Sequence, residues 1–101
     1  MELTEADAGA ERSVGVGQEL VVRLRENRTT GFRWQLAVPE GVVVEDDGYD
    51  ADPSGRPGAP GMRTFRLRPT RPGTHRLAAE QRRSWEGQAG GQALEFTVRA
   101  E

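Results

Sequence analysis

A single histidine, His75, and no cysteine occur among the 101 residues, and together they bound the chemistry open to the chain. A Ser-His-acid relay or a histidine metal site would have to run through His75. No serine, cysteine or second histidine stands at a telling spacing from it. Its position matches the parity of Leu77 and Ala79 in an alternating stretch, the place of a partly buried or edge histidine. The absence of thiols removes disulfides, thiolate nucleophiles and cysteine-type zinc sites at once. Asp46, Asp47, Asp50 and Asp52 superficially resemble a calcium loop. The twelfth position counted from Asp46 or Asp47 is Pro57 or Gly58, where a bidentate Glu should close the shell. A solvated acidic loop is the simpler reading. A glycosidase-type carboxylate pair is compatible with the sequence, but a chain this short offers little cleft. The expectation is a protein that is not an enzyme and holds neither metal nor cofactor.

Charge and hydropathy narrow the partners. All 14 basic residues are arginine, and the formal net charge is −2. Glu40 to Asp52 holds six acids and no base, while Arg63 to Arg83 holds seven arginines and one glutamate. A basic stretch can track phosphates. Here Arg63, Arg66, Arg68, Arg76 and Arg82 interleave with apolar positions and lack a stacking aromatic run, so the solvated face of a sheet is expected and nucleic acid is not. No stretch approaches the ~18 apolar residues of a membrane span, so no membrane partner is expected. Met1 to Glu11 carries four acids and no base, unlike a signal peptide. The chain as written is expected in the cytoplasm, or outside the cell if it is a trimmed mature form.

The elements that must position any site are strands. Leu20, Val22 and Leu24 alternate with Val21, Arg23 and Arg25, and Phe32, Trp34, Leu36 and Val38 alternate with Arg33, Gln35 and Ala37. Glu26 to Gly31 interrupts these two runs with turn-forming residues. Pro39-Glu40-Gly41 is a turn, and Val42 to Val44 a short β-branched strand. Asp46 to Gly61, with four glycines and three prolines, is expected to be a long exposed loop. Arg63 to Arg68 and Gly73 to Gln81 form strands about a turn at Thr70 to Gly73; Ser84 to Gly91 is a second loop, and Leu94, Phe96 and Val98 mark the last strand. No long window carries a helical repeat. The pattern predicts an all-β fold, a small antiparallel immunoglobulin-like β-sandwich of about seven strands. One domain is expected over residues 17–101, preceded by a loose arm or weak first strand over residues 1–16.

Three loops carry unusual composition. Asn27-Arg28-Thr29-Thr30-Gly31-Phe32 is followed two residues later by Trp34. Gly58-Ala59-Pro60-Gly61 precedes a strand with Phe65, and Arg82-Arg83-Ser84-Trp85-Glu86-Gly87 follows the strand ending at Gln81. In this order the set resembles the chagasin-type inhibitors of papain-like cysteine proteases. Their motifs are an Asn-Pro-Thr-Thr-Gly-(Tyr/Phe) loop with a Trp beyond it, a Gly-x-Gly-Gly loop and an Arg-Pro-Trp loop. The resemblance runs from about Gly17 to Val98 and includes Gly73-x-x-x-Leu77-x-Ala79-x-Gln81 and Phe96-Thr97-Val98.

The resemblance implies a reversible inhibitor whose partner is a papain-like cysteine protease, acting as a monomer and blocking the substrate cleft with a wedge of three loops. Asn27, Arg28, Thr29, Thr30, Gly31 and Phe32 would enter at the catalytic Cys–His pair, with the two threonines at the tip. Gly58, Ala59, Pro60 and Gly61 would reach the unprimed side. Arg83, Ser84 and Trp85 would lie on the primed side, and Trp34 would belong to the core. Three positions depart from the family motifs: Arg28 and Ser84 replace prolines, and Pro60 replaces a glycine. Proline restricts the unbound ensemble, so its loss at Arg28 and Ser84 leaves the first and third loops looser than their relatives' in expectation. The alternative is a non-inhibitory immunoglobulin-like binding or scaffold module.

Overall fold

A computed structural model describes every residue apart from 28–30, 52, 55, 57–59 and 84–87, together with the side chains of residues 83 and 88–91. The described residues form eight strands: β1 (Glu2–Leu3), β2 (Glu11–Val14), β3 (Leu20–Glu26), β4 (Phe32–Ala37), β5 (Val42–Asp50), β6 (Gly61–Pro69), β7 (Gly73–Arg83) and β8 (Gln88–Ala100). They make two four-stranded sheets, one in the order β1-β3-β6-β5 and the other β2-β8-β7-β4. The pairs β1–β3 and β2–β8 are parallel, and the remaining neighbours are antiparallel.

Period-2 alternation turns one face of each sheet inward. Leu20, Val22 and Leu24 of β3 and Phe65 and Leu67 of β6 meet Trp34 of β4, Leu77 and Ala79 of β7, and Phe96 and Val98 of β8 in one buried cluster. Burying each large side chain stabilises the fold by about 1.5–3 kcal/mol, and together they hold the sheets face to face. His75 shares this parity. It is 7% exposed, and its Nε2 donates to the Arg71 carbonyl at 2.9 Å.

Three expectations change. Residues 46–50 are not loop: β5 runs on to Asp50 through a register shift between Val44 and Asp46. The acids there are matched by arginines on the adjacent β6, with Arg68–Glu45 at 3.0 Å, Arg66–Asp46 at 3.9 Å and Arg63–Asp47 at 2.5 Å. The loop expected from Ser84 is shortened, because β7 reaches Arg83 and β8 begins at Gln88. Within the first sixteen residues, β1 and β2 pair into opposite sheets, and a short 3-10 turn at Glu5–Asp7 separates them. Thr4 and Asp7 form a reciprocal capping box on that turn.

Candidate functional site

Strand register decides which loops are neighbours. Phe32 at the start of β4 pairs with Arg83 at the end of β7, and Arg83 pairs with Gln88 at the start of β8. In the other sheet Glu26 at the end of β3 pairs with Gly61 at the start of β6, and Met62 pairs with Asp50 at the end of β5. The strand ends that bound residues 27–31, 51–60 and 84–87 therefore lie at one end of the sandwich. An open hollow of about 490 Å³ lies at that end, lined by Arg25, Asp50, Ala51, Pro53, Pro60, Gly61 and Met62.

Glu26 ties the two sheets together there. It is fully buried, and its Oε1 accepts the backbone N–H of Trp34 at 2.7 Å. The Trp34 indole Nε1 donates back across the gap to the Arg25 carbonyl at 2.7 Å. Both sides of the first loop are thus cross-linked by hydrogen bonds, one of them to an ionisable side chain taken out of water. Such a group needs compensation. Arg63 supplies it, with Nη1 3.3 Å from the same Oε1. The guanidinium also donates bidentately to Asp47, Nε to Oδ1 at 2.5 Å and Nη2 to Oδ2 at 2.6 Å. The Asp47 hydrogen bonds, aided by the charges of Asp47 and Glu26, hold the Arg63 pKa above its ordinary value against the opposing effect of burial. Arg63 also lies 5.1 Å from the centre of the Phe65 ring, within cation–π range.

The residues singled out in the sequence fall into two groups. Asn27, Gly31, Phe32, Pro60, Gly61 and the backbone of Arg83 all stand at this end, bounding the three loops. Gly31 has φ +82°, the left-handed conformation that favours glycine before the chain enters β4. Gly61 is buried, and a Cβ there would overlap the Tyr49 hydroxyl and the Asp50 carbonyl. Arg28, Thr29, Thr30, Gly58, Ala59, Ser84 and Trp85 lie outside the described residues, as does the Arg83 side chain. Trp34 is 1% exposed and belongs to the core. Among the described residues, no cluster of His, Cys, Asp and Glu is fit to hold a metal ion.

Sequence reasoning passed over Glu26 and its partner Arg63. The signal was present, because Glu26 continues the inward parity of Leu20, Val22 and Leu24. A carboxylate at a core position marks a buried polar bond.

Comparison with known proteins agrees with this geometry. Amoebiasin-2 of Entamoeba histolytica is 30% identical over 87 residues, covering 83% of this chain and 71% of the relative. The crystal structure of the cysteine protease inhibitor EhICP2, also from Entamoeba histolytica, superposes with a TM-score of 0.85 at 24% identity, over 99% of this chain and 93% of that one. PbICP-C, solved in complex with falcipain-2, shares the fold at a TM-score of 0.63 and 15% identity, over 100% of this chain and 90% of that one. Residues 13–100 match the chagasin family of peptidase inhibitors, a span that takes in β3 to β8, the second half of β2 and all three loops. With a curated relative alike over most of its length and a family match over nearly all of it, the chain belongs to the chagasin family.

Proposed function

We propose that the protein is a reversible, stoichiometric inhibitor of papain-family cysteine proteases that fills the substrate cleft with residues 27–32, 58–61 and 82–87. One observation carries the reading: the strand registers gather the ends of all three loops at one end of a rigid two-sheet base. Thr29 and Thr30 form the tip at the catalytic Cys–His pair, where small side chains let backbone approach closely and hydroxyls bond polar groups of the enzyme. Gly58 and Gly61 carry the second loop to the unprimed side. Trp85 stacks on aromatic surface of the primed side, with Arg83 adding directional hydrogen bonds. The Glu26 carboxylate, by tying Trp34 to the end of β3, limits the freedom that the first loop loses on docking. The protein acts as a monomer, needs no cofactor and catalyses nothing itself.

The reading is tested by titrating the protein into papain with a fluorogenic peptide substrate. Residual activity should fall linearly to an endpoint of one inhibitor per enzyme, and prolonged incubation should leave the chain uncut. Full activity at excess protein, or progressive cleavage within Asn27 to Gly31 by catalytic amounts of papain, would refute the wedge.

A further inference from the structure

Arg33 and Arg82 face each other across the β4–β7 ladder. They stand one residue pair inside Phe32–Arg83, the pair at which residues 27–31 and 84–87 leave the sheet. Trp34 points into the core, so strand alternation sends Arg33 to the outer face of its sheet. Like charges directly opposite in a sheet repel. In the other sheet Arg63, Arg66 and Arg68 each meet an acid on a neighbouring strand or turn. Here Arg82 reaches Glu80, Nη2 to Oε2 at 3.3 Å, whereas among the described residues no ion pair joins Arg33 to an acid. Its Nη1 is buried without an acceptor. A charged donor in that condition costs free energy in the unbound protein. Among the described residues, two guanidinium groups meet one carboxylate, which leaves one positive charge unmatched beside two of the three binding loops.

We infer that Arg33 and Arg82 form a docking pair for an Asp or Glu carboxylate on the rim of the protease cleft. Once the Arg33 side chain swings outward, one carboxylate there would accept from its otherwise stranded Nη1, balance the two arginines against two acids, and relieve their repulsion. A planar guanidinium fork suits this better than an ammonium. The pair would select targets by charge, favouring acidic enzymes over basic ones and speeding encounter. The inference rests on the inhibitor reading, since the protease supplies the carboxylate.

The test measures inhibition constants and association rates of wild type, Arg33→Gln, Arg33→Lys and the Arg33→Gln/Arg82→Gln double variant. Papain-family proteases spanning acidic to basic net charge serve as the panel, at low and at raised salt. Against the most acidic enzymes, Arg33→Gln should weaken inhibition about tenfold, with Arg33→Lys in between. Raised salt should shrink the difference. Melting temperature should hold or rise, because a repulsive pair has been removed. Unchanged constants and salt dependence across the panel would overturn the inference, as would a melting temperature that falls in step with inhibition. A wild type that inhibits no member would overturn the underlying reading instead, whatever the variants do.

Discussion

Removing Glu26 should damage both the fold and the inhibitory end. In Glu26→Ala the backbone N–H of Trp34 loses its 2.7 Å acceptor in a buried place, which costs about 1–3 kcal/mol. Arg63 loses a partner at 3.3 Å but keeps its two bonds to Asp47, so this part is smaller, about 1 kcal/mol. The emptied volume adds a cavity cost. A total of about 3–5 kcal/mol follows, a large share of the ~5–15 kcal/mol of an ordinary domain. Glu26→Gln keeps an oxygen for Trp34 and loses the charge facing Arg63, so a smaller cost, about 1–2 kcal/mol, is expected. Urea unfolding followed by tryptophan fluorescence measures both. The same variants should weaken inhibition in the same order, because the first loop loses its tie to β4. A Glu26→Ala cost below about 1 kcal/mol, or equal costs for the two variants, would refute the clamp.

Gly61→Ala should destabilise by about 1–3 kcal/mol in denaturant melts, since its Cβ meets the Tyr49 hydroxyl and the fixed Asp50 carbonyl. Hydrogen bonds from the Thr4 backbone and from Arg12 to the Asp7 carboxylate hold its pKa below the usual carboxylate range. A pKa lowered on folding adds stability above the unfolded value, and this is lost as pH falls through the folded one. Wild type should therefore exceed Asp7→Asn near neutrality, by under about 1 kcal/mol for a partly solvated site at the surface, and the gap should close below about pH 4 in acid titrations. Trp85→Ala should weaken inhibition by about 2–4 kcal/mol with little change in melting temperature. Arg28→Pro with Ser84→Pro should tighten binding by about 1–2 kcal/mol through slower dissociation in stopped-flow or biosensor traces; no gain from Ser84→Pro on any protease would rule out preorganisation.

Alternation made β3, β4, β6, β7 and β8 legible, because each has one inward face of large apolar residues and one solvated face. Strand β5 was hidden beyond Val44, since its acids read as loop when taken by themselves. Their partners are the arginines of β6, and only the antiparallel hairpin lays the acidic stretch against the basic one. β1 and β2 were hard to see for a different reason. They are two and four residues long, and each is held by parallel pairing to a distant strand, which no local period records. At the inhibitory end the loop motifs could be read, whereas the Glu26–Arg63–Asp47 network could not. It joins residues 16 and 37 positions apart, so only the folded register brings them into contact.

Inhibition by a wedge requires that the loops occupy the substrate cleft itself. This requirement is tested most directly by calorimetric titration of the protein into two forms of papain, one with a free cleft and one whose cleft is filled by a covalent peptidyl inhibitor. One-to-one binding to the free enzyme and none to the filled one is the expected result. Equal binding to both would place the protein elsewhere on the enzyme and contradict the wedge.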